Sequence, residues 1–378
     1  MKSIQLLLLG ILMPMVCAWG QSSQQGENHA PRVIIAVNTT HGEGYFVDSE
    51  GNRLFNKQFE GVGPFSEGLA RVKQNGKWGY INTKGEVVIP CVYDWSRNDS
   101  GEFSEGLACV KQNGRYGFIN TEGEKVVPCI YDEGDAFAEG HALVKQHRKY
   151  GFVNAKGEEV IPCIYTYAYP FSEGLALVWL NGRYSFINTK QEEVFCCTYE
   201  NARTFSEGLA CVKQNGKWGY INTKGEAIIP RTFEEAENFS EGLARVKQNG
   251  KWGYINAKGE AVIPRTFEEA ENFSEGLARV KHDGKWGYIN TKGEVTIPCT
   301  YSEVGDFNRG LARVKQNGKY GSINCEGELV VPCIYDWITD FSEGLAKVEK
   351  GKSWSIINQE GKVIVAECDR STQWSKEF

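Results

Sequence analysis

Histidine is scarce, and positive charge is not in excess. No apolar run long enough to cross a bilayer follows the first twenty residues. The five histidines, His29, His41, His141, His147 and His282, share no metal-ligand spacing, so no metal or cofactor is expected. Lys and Arg number 42 against 48 Asp and Glu, a net charge of −6. That balance argues against a general nucleic-acid grip, which needs a basic surface. Twelve cysteines in 378 residues fall well below the ~8–10% density of a disulfide scaffold. No helical period stands out, so no glycine-rich phosphate loop opens a helix. The aromatic content of 12% and apolar content of 41% exclude a wholly disordered chain.

Glycine is plentiful, at 43 residues of 378, about 11% against the usual ~7%. The excess follows a period. Phe-Ser-Glu-Gly-Leu-Ala or a close variant recurs with its Phe at Phe65, Phe103, Phe137, Phe171, Phe205, Phe239, Phe273, Phe307 and Phe341. The first interval is 38 residues and the other seven are 34. The four extra residues, around Arg97 to Ser100, behave as a loop insertion. A worn copy over residues 32–64 precedes nine clear units over 65–365. One array therefore replaces the two or three domains that length alone suggests.

The ends are different. Lys2, the apolar stretch Ile4 to Val16 and the small-x-small Ala18-Trp19-Gly20 read as a signal peptide over residues 1–20, leaving Gln21 first. A buried N-terminal helix and a lipid anchor through Cys17 are the competing readings. Residues 21–31 read as a polar linker, and residues 366–378 as a charged tail. The expected location is exported: periplasmic, cell-surface or secreted.

Within the first unit, Asn75-Gly76 separates two alternating runs, which is a strong hairpin signal. Leu69 to Gln74 and Lys77 to Asn82 are the two strands, and Val87 to Ile89 is a third, ended by Pro90. Ser66-Glu67-Gly68 opens the unit. Gly79 and its equivalents carry only Gly or Ser inside a strand, the mark of a bulge or of a close backbone or ring. Hairpin register puts Arg71 opposite Tyr80 and Lys73 opposite Trp78 on one face, with Ala70, Val72 and Ile81 on the other. The second face reads as core. The first has two readings: rings half-buried between units under Lys and Arg stems, or an aromatic groove for a sugar or peptide.

Comparing units narrows the groove reading. The Arg71 position becomes Cys109, Leu143 and Leu177 in units two to four, while the Tyr80 position becomes Phe118, Phe152 and Phe186. Packing explains that paired loss of polarity. Any groove is therefore expected at Arg71, Trp78 and Tyr80, at Arg245, Trp252 and Tyr254, and at Arg279, Trp286 and Tyr288. The Glu of the opening turn recurs in eight units. Eight like environments suit a turn role better than an acid–base pair, which needs two unlike ones. Cys91, Cys129, Cys163, Cys197, Cys299 and Cys333 share one repeated position and read as small buried apolar residues, with an oxidised ladder as the alternative.

Lys77-Trp78-Gly79-Tyr80-Ile81-Asn82, its copies at Lys217 to Asn222, Lys251 to Asn256 and Lys285 to Asn290, and the flanking Glu-Gly-Leu-Ala and Val-Ile-Pro segments resemble the WG-repeat (KWG-repeat) proteins of bacteria. The resemblance covers residues 65–365. It implies an all-β tandem repeat, frequently exported, with no known catalytic activity and no agreed ligand.

The expected fold is an all-β array of nine to ten three-stranded β-meander repeats in an open solenoid or superhelix, with a closed propeller-like ring as the alternative. The expected function is a non-enzymatic exported scaffold for a protein or cell-envelope partner, without nucleic acid or transmembrane segment. A carbohydrate- or cell-wall-binding module using the Trp/Tyr face is the second reading, and an enzyme the third.

Overall fold

The central hairpin forms where the sequence places it. In the computed structural model Asn75 and Gly76 have φ of 52° and 75°, the two positive values a type I′ turn requires. Arg71 faces Tyr80 and Lys73 faces Trp78. The next strand does not stop at Pro90; it runs Val87–Tyr93. The register slips between Trp78↔Tyr93 and Tyr80↔Ile89, so the proline sits in a bulge where its missing donor is tolerated. Gly79 makes room for it. A Cβ there would lie 2.4 Å from the Ile89 carbonyl oxygen and 2.6 Å from the Cys91 nitrogen.

The described residues are 34–38, 44–48, 51–94, 101–196, 199–341, 344–351 and 353–369. The expected signal peptide, Cys17, the linker, the Arg97 to Ser100 insertion, Cys197 and residues 370–378 lie outside them. A strand occupies Val363–Asp369, where the sequence suggested the tail already begins. Val33–Phe378 is one compact unit.

The three-stranded unit expected from sequence is corrected to four. A further strand, Gly61–Ser66, pairs with Leu69–Gln74. Ser66-Glu67-Gly68 is the hairpin turn between these two strands. Sheet order follows chain order, and nine such four-stranded blades begin at Gly61, Phe103, Glu133, Tyr167, Asn201, Glu235, Glu269, Glu303 and Trp337. The first strand hides in the sequence because in most blades it pairs through two residues, as Glu235↔Lys247 and Ala236↔Val246. The worn copy supplies a three-stranded sheet, Ile34–Asn38, Gly44–Asp48 and Arg53–Phe59.

Packing between sheets overturns the open solenoid. Each blade buries both faces. Leu69, Tyr80, Ile89 and Tyr93 of blade 1 meet Phe103, Ala108, Val110 and Ile119 of blade 2, and the same contact recurs from blade to blade through blade 9. The three-stranded sheet packs Phe46, Leu54 and Phe59 against Val62, Ala70 and Val72 of blade 1. Its other face packs Tyr45 and Val47 against Leu345, Trp354 and Ile356 of blade 9. The array therefore has no free end: it is a closed propeller ring of nine four-stranded blades completed by one three-stranded sheet. Neighbouring sheets approach at their first strands, Ile34–Asn38 with Gly61–Ser66 and Phe103–Ser104 with Glu133–Ala138, so first strands face the axis. Fourth strands, with Val87 and Val88 exposed, form the rim.

Carboxylates stitch the turns. The Glu67 carboxylate accepts the Gly106 amide of the next blade at 2.9 Å, and Glu105, Glu139, Glu173, Glu207, Glu241 and Glu275 repeat the bond onto the following blade. The turn role assigned from sequence is thus a tie between blades. Arg309 interrupts the series, and Glu343 lies outside the described residues. A second acid caps the Asn-Gly type of turn in most blades, as Glu60 does for Gly76 and Glu234 for Gly250; Thr166 and Ser302 stand at that position in blades 4 and 8. Asn82 and its equivalents hold the third turn by accepting from the amides two and four residues on.

Two predictions follow from this geometry. Gly253→Val drives a branched side chain into the Ile263 carbonyl, 2.6 Å from the Cβ position. It should cost about 3 kcal/mol, the upper range for overpacking, read as a lowered urea midpoint; Gly253→Ser should cost less, because Ser185 and Ser355 occupy the equivalent site. An unchanged midpoint for the valine variant would refute the close approach.

The second concerns acid. The Lys77 ammonium holds Asp94 below the ordinary carboxylate range, the Gly250 amide does so for Glu234, and Lys315 and the Tyr320 hydroxyl do so for Glu303. With folded pKa values below unfolded ones, their stabilisation is complete above the unfolded carboxylate pKa of about 4 and is lost as pH falls through the folded values. The melting temperature should hold from pH 7 to about 5 and drop below about 4. A melting temperature unchanged down to pH 2.5 would contradict it.

Candidate binding site in blades 2 to 4

The regular blades define a seat for one arginine. In blade 6 the Arg245 guanidinium lies 5.0 Å above the Trp252 ring and donates to the Ala270 carbonyl of blade 7. It pairs with Glu271 at 2.9 Å. In blade 7, Arg279 donates to the Val304 carbonyl at 3.1 Å and pairs with Asp306 at 2.7 Å. In blade 8, Arg313 pairs with Asp340 at 3.0 Å. Burial raises the Asp340 pKa, and Arg313 opposes that. The seat thus offers an aromatic face, a backbone carbonyl and a carboxylate, the last two from the next blade. Arg71 sits 5.4 Å above Trp78 in blade 1, and Lys347 5.3 Å above Trp354 in blade 9.

Blade 5 has Cys211 at this position, yet its seat is filled. Arg203, from the segment after the blade's own first strand, lies 5.5 Å above Trp218 and donates to Glu237 of blade 6 at 2.7 Å. Blades 2, 3 and 4 are different. Their seat residues are Cys109, Leu143 and Leu177, and the position that supplies Arg203 in blade 5 holds Gly101, Asp135 and Tyr169. Tyr116, Tyr150 and Tyr184 replace Trp. The shorter side chains leave a cavity of about 240 Å³ spanning the seats of blades 2 and 3. Tyr116, Gly134 and Asp135 line the first seat, and Leu143, Tyr150 and Ala168 the second, with Glu133 and Lys145 between. Lys145 and Glu133 are paired at 2.8 Å. Beside Ala168, Tyr167 and Tyr169 stand 61% and 47% exposed.

The rings proposed from sequence as a binding face lie between blades. Trp252 is 7% exposed, and Tyr80, Tyr254 and Tyr288 are buried; Trp78 and Trp286 are half-buried. Arg71, Arg245 and Arg279 are half-buried over or beside them. The packing reading of this face therefore describes these residues. The tyrosine hydroxyls have a partner that sequence did not suggest. Tyr80, Tyr220, Tyr254 and Tyr288 donate to backbone carbonyls of the next blade, Gly101, Glu237, Glu271 and Gly305, at 2.6–2.7 Å. Burial pushes the Tyr220, Tyr254 and Tyr288 hydroxyls up, which keeps them protonated donors.

The open space lies in units two and three, which the internal comparison sets aside as apolar. The signal was present: three consecutive units lose both Arg and Trp. What sequence lacked was the segment before each Phe, which supplies the carboxylate to the preceding blade. The cysteines of the repeated series are half-buried free thiols at Cys91, Cys129, Cys163, Cys299 and Cys333. Burial raises the Cys163 thiol pKa to about 11. His147 and His282 sit at hairpin ends, the first with its amide on Asp132.

Radial four-stranded sheets closed into a ring define a β-propeller. The WG-containing repeat matches nine times, at residues 46–78, 78–116, 116–150, 150–184, 184–218, 218–252, 252–286, 286–320 and 320–354, and the chain belongs to that family. The first repeat begins on the second strand of the three-stranded sheet, and each of the others on the third strand of a blade; every one ends on the third strand of the next blade, so nine repeats link ten sheets. No curated protein matches the sequence. Among solved structures, a crystal structure of a eukaryotic initiation factor is similar with a TM-score of 0.53 at 11% identity, covering 82% of this chain and 97% of that one. Apo AztD from Citrobacter koseri gives a TM-score of 0.35 at 11% identity, with 89% and 94% covered. The first likeness supports the propeller fold and nothing beyond it.

Proposed function

We propose that the protein is a non-enzymatic, exported propeller scaffold that binds a protein or cell-envelope partner through blades 2 to 4. The observation that carries this reading is the break in the repeat. Blades 5 to 8 fill the cationic seat with their own arginine, whereas blades 2 and 3 carry a cavity of about 240 Å³ there, next to exposed Tyr167 and Tyr169 of blade 4. A repeat protein differentiates where its repeats differ, and exposed tyrosines beside a polar cleft suit an interface. The non-enzymatic part is supported by the recurring carboxylates, which are spent on backbone amides and arginines in like environments. Among the described residues no helix is long and apolar enough to cross a membrane. Export is supported by Lys2, Ile4 to Val16 and Ala18-Trp19-Gly20. A sugar-binding Trp/Tyr face has less support, because those rings pack against the neighbouring blade.

Affinity capture from envelope extract should retain a partner with the full chain and lose it with Tyr167→Ala/Tyr169→Ala, while a glycan array stays blank. Both side chains are exposed, so the fold should survive. Capture indifferent to the double variant, or sugar binding lost with it, would overturn the reading. Expressed in a bacterium, the chain should be recovered outside the cytoplasm with Gln21 as its first residue. Cytoplasmic material that keeps Met1 would refute export.

A further inference from the structure

We infer that a rim cleft of blade 5 binds the phosphate group of an organic phosphate, and that blade 6 carries a second copy of this site. Its residues lie outside blades 2 to 4, so the site stands apart from the partner-binding reading. The cleft has a volume of about 460 Å³ and lies between the Asn215-Gly216 turn and the outer strand Ala227–Phe233. Asn215 and Lys217 line one side, and Ile228, Pro230 and Arg231 the other. The lining holds two cations and no acid.

Arginine sets these two blades apart. Six blades carry Cys at this position, whereas Arg231 and Arg265 stand there in blades 5 and 6. The Arg231 stem crosses the bulge glycine, its Cγ 2.8 Å from the Cβ position of Gly219, and its guanidinium lies 5.4 Å from the Tyr199 ring of blade 4. Arg265 crosses Gly253 at 2.7 Å and lies 5.9 Å from the Phe233 ring. The seat arginines Arg245, Arg279 and Arg313 each pair with a carboxylate. Arg231 and Arg265 have no hydrogen bond or ion pair among the described residues, and Arg231 Nη1 is buried without a partner. A half-buried guanidinium that has lost water and gained no counter-charge is costly, and a bound anion removes that cost.

Exposed Lys217 is likewise without an ion pair among the described residues. Lys77, Arg115 and Lys319 at its position bridge Asp94, Asp132 and Asp336. In blade 5 the corresponding Glu234 gives its two oxygens to the Asn249 and Gly250 amides, at 3.1 and 2.9 Å. The other acids flanking the cleft are held too: Glu200 accepts from the Gly216 amide at 3.1 Å, and Glu226 from the Asn222 side chain at 2.7 Å.

Two cations suit a dianion. A phosphate monoester brings three acceptor oxygens and close to two charges at neutral pH, enough for the fork of Arg231 and the ammonium of Lys217 together. A carboxylate neutralises only one of them. Ile228, 41% exposed, and Pro230 in the same wall offer apolar contact to the organic part. Blade 6 repeats this lining with Val262 for Ile228 as the single change.

The test is calorimetric titration of the full chain with phenyl phosphate, inorganic phosphate and benzoate. Phenyl phosphate should bind two equivalents, at least tenfold more tightly than benzoate, which keeps the ring with one charge. It should also bind more tightly than inorganic phosphate, which lacks the ring. Arg231→Cys should leave one equivalent, and Arg231→Cys/Arg265→Cys none. Cysteine already fills this position in six blades, so both variants should keep the melting temperature within a few degrees. In the Arg265→Cys background, Lys217→Gln should lower the affinity of the remaining site tenfold or more. Two equivalents retained in Arg231→Cys, or full affinity with Lys217→Gln, would overturn the inference. Equal affinity for benzoate would put any small anion in place of the dianion and refute the phosphate assigned here, and equal affinity for inorganic phosphate would refute the organic part. Tyr167→Ala/Tyr169→Ala should leave the titration unchanged; loss of phenyl phosphate binding there would move the site to blade 4 and sink the rim assignment.

Discussion

In blades 1 to 7 the third strand alternates a Tyr or Phe on one face with an Ile or Val on the other, and neither face can be left to water. Tyr254 and Ile255 are both fully buried, one against blade 7 and the other against blade 5. A sheet buried on both sides needs a neighbour on both sides. A linear stack would leave two apolar ends, each exposing a face of the size that blades otherwise bury. Joining Trp354, Ile356 and Leu345 to Tyr45 and Val47 removes both ends at once. The degenerate first repeat, which lacks the Trp-Gly signature, is the piece that makes this joint, and its three strands suffice because both of its faces are covered. Closure is thus a consequence of double-sided apolar strands.

Close contact between the third and fourth strands is the local counterpart of that constraint. Gly79 and its equivalents admit the backbone on either side of a proline, and the resulting bulge bends the outer strand. Acidic residues then meet the backbone amides that turns and bulges leave outside the ladders. The excess of acid over base in the composition has this use: one set of carboxylates ties blade to blade, a second caps the Asn-Gly type of turn, and a third joins Asn82-type side chains. These charges are structural ties distributed around the ring.

Much of this was legible in the sequence. Asn75-Gly76 fixed a hairpin and its register, so the pairing of Arg71 with Tyr80 and Lys73 with Trp78 could be read directly. The small residue at Gly79 announced a close backbone. Two features were not legible, for one reason. The first strand of each blade is held by as few as two paired residues, in a segment whose composition changes from Tyr167-Ala168 to Glu235-Ala236 to Trp337-Ile338. No alternation survives over two residues. The same segment supplies the carbonyl and the carboxylate to the arginine of the preceding blade. Without it the unit looked three-stranded, the Arg71 face looked open, and the vacated seats of units two to four looked merely apolar.

The contrast between blade 5 and blades 2 to 4 separates two explanations of a lost arginine. If the seat tolerated any small apolar residue once the ring was closed, blade 5 would need no replacement for the arginine missing at Cys211. Instead Arg203 crosses from the first-strand segment to the same place over Trp218 and reaches Glu237. A carboxylate facing an aromatic-walled seat is costly to leave without a cation, because partial burial strips it of water that only an opposite charge replaces. Blade 3 keeps such a carboxylate in Asp135, exposed at the edge of the cavity, where water can hydrate it in the free protein. A buried carboxylate there would demand an internal partner. An exposed one is met by water instead.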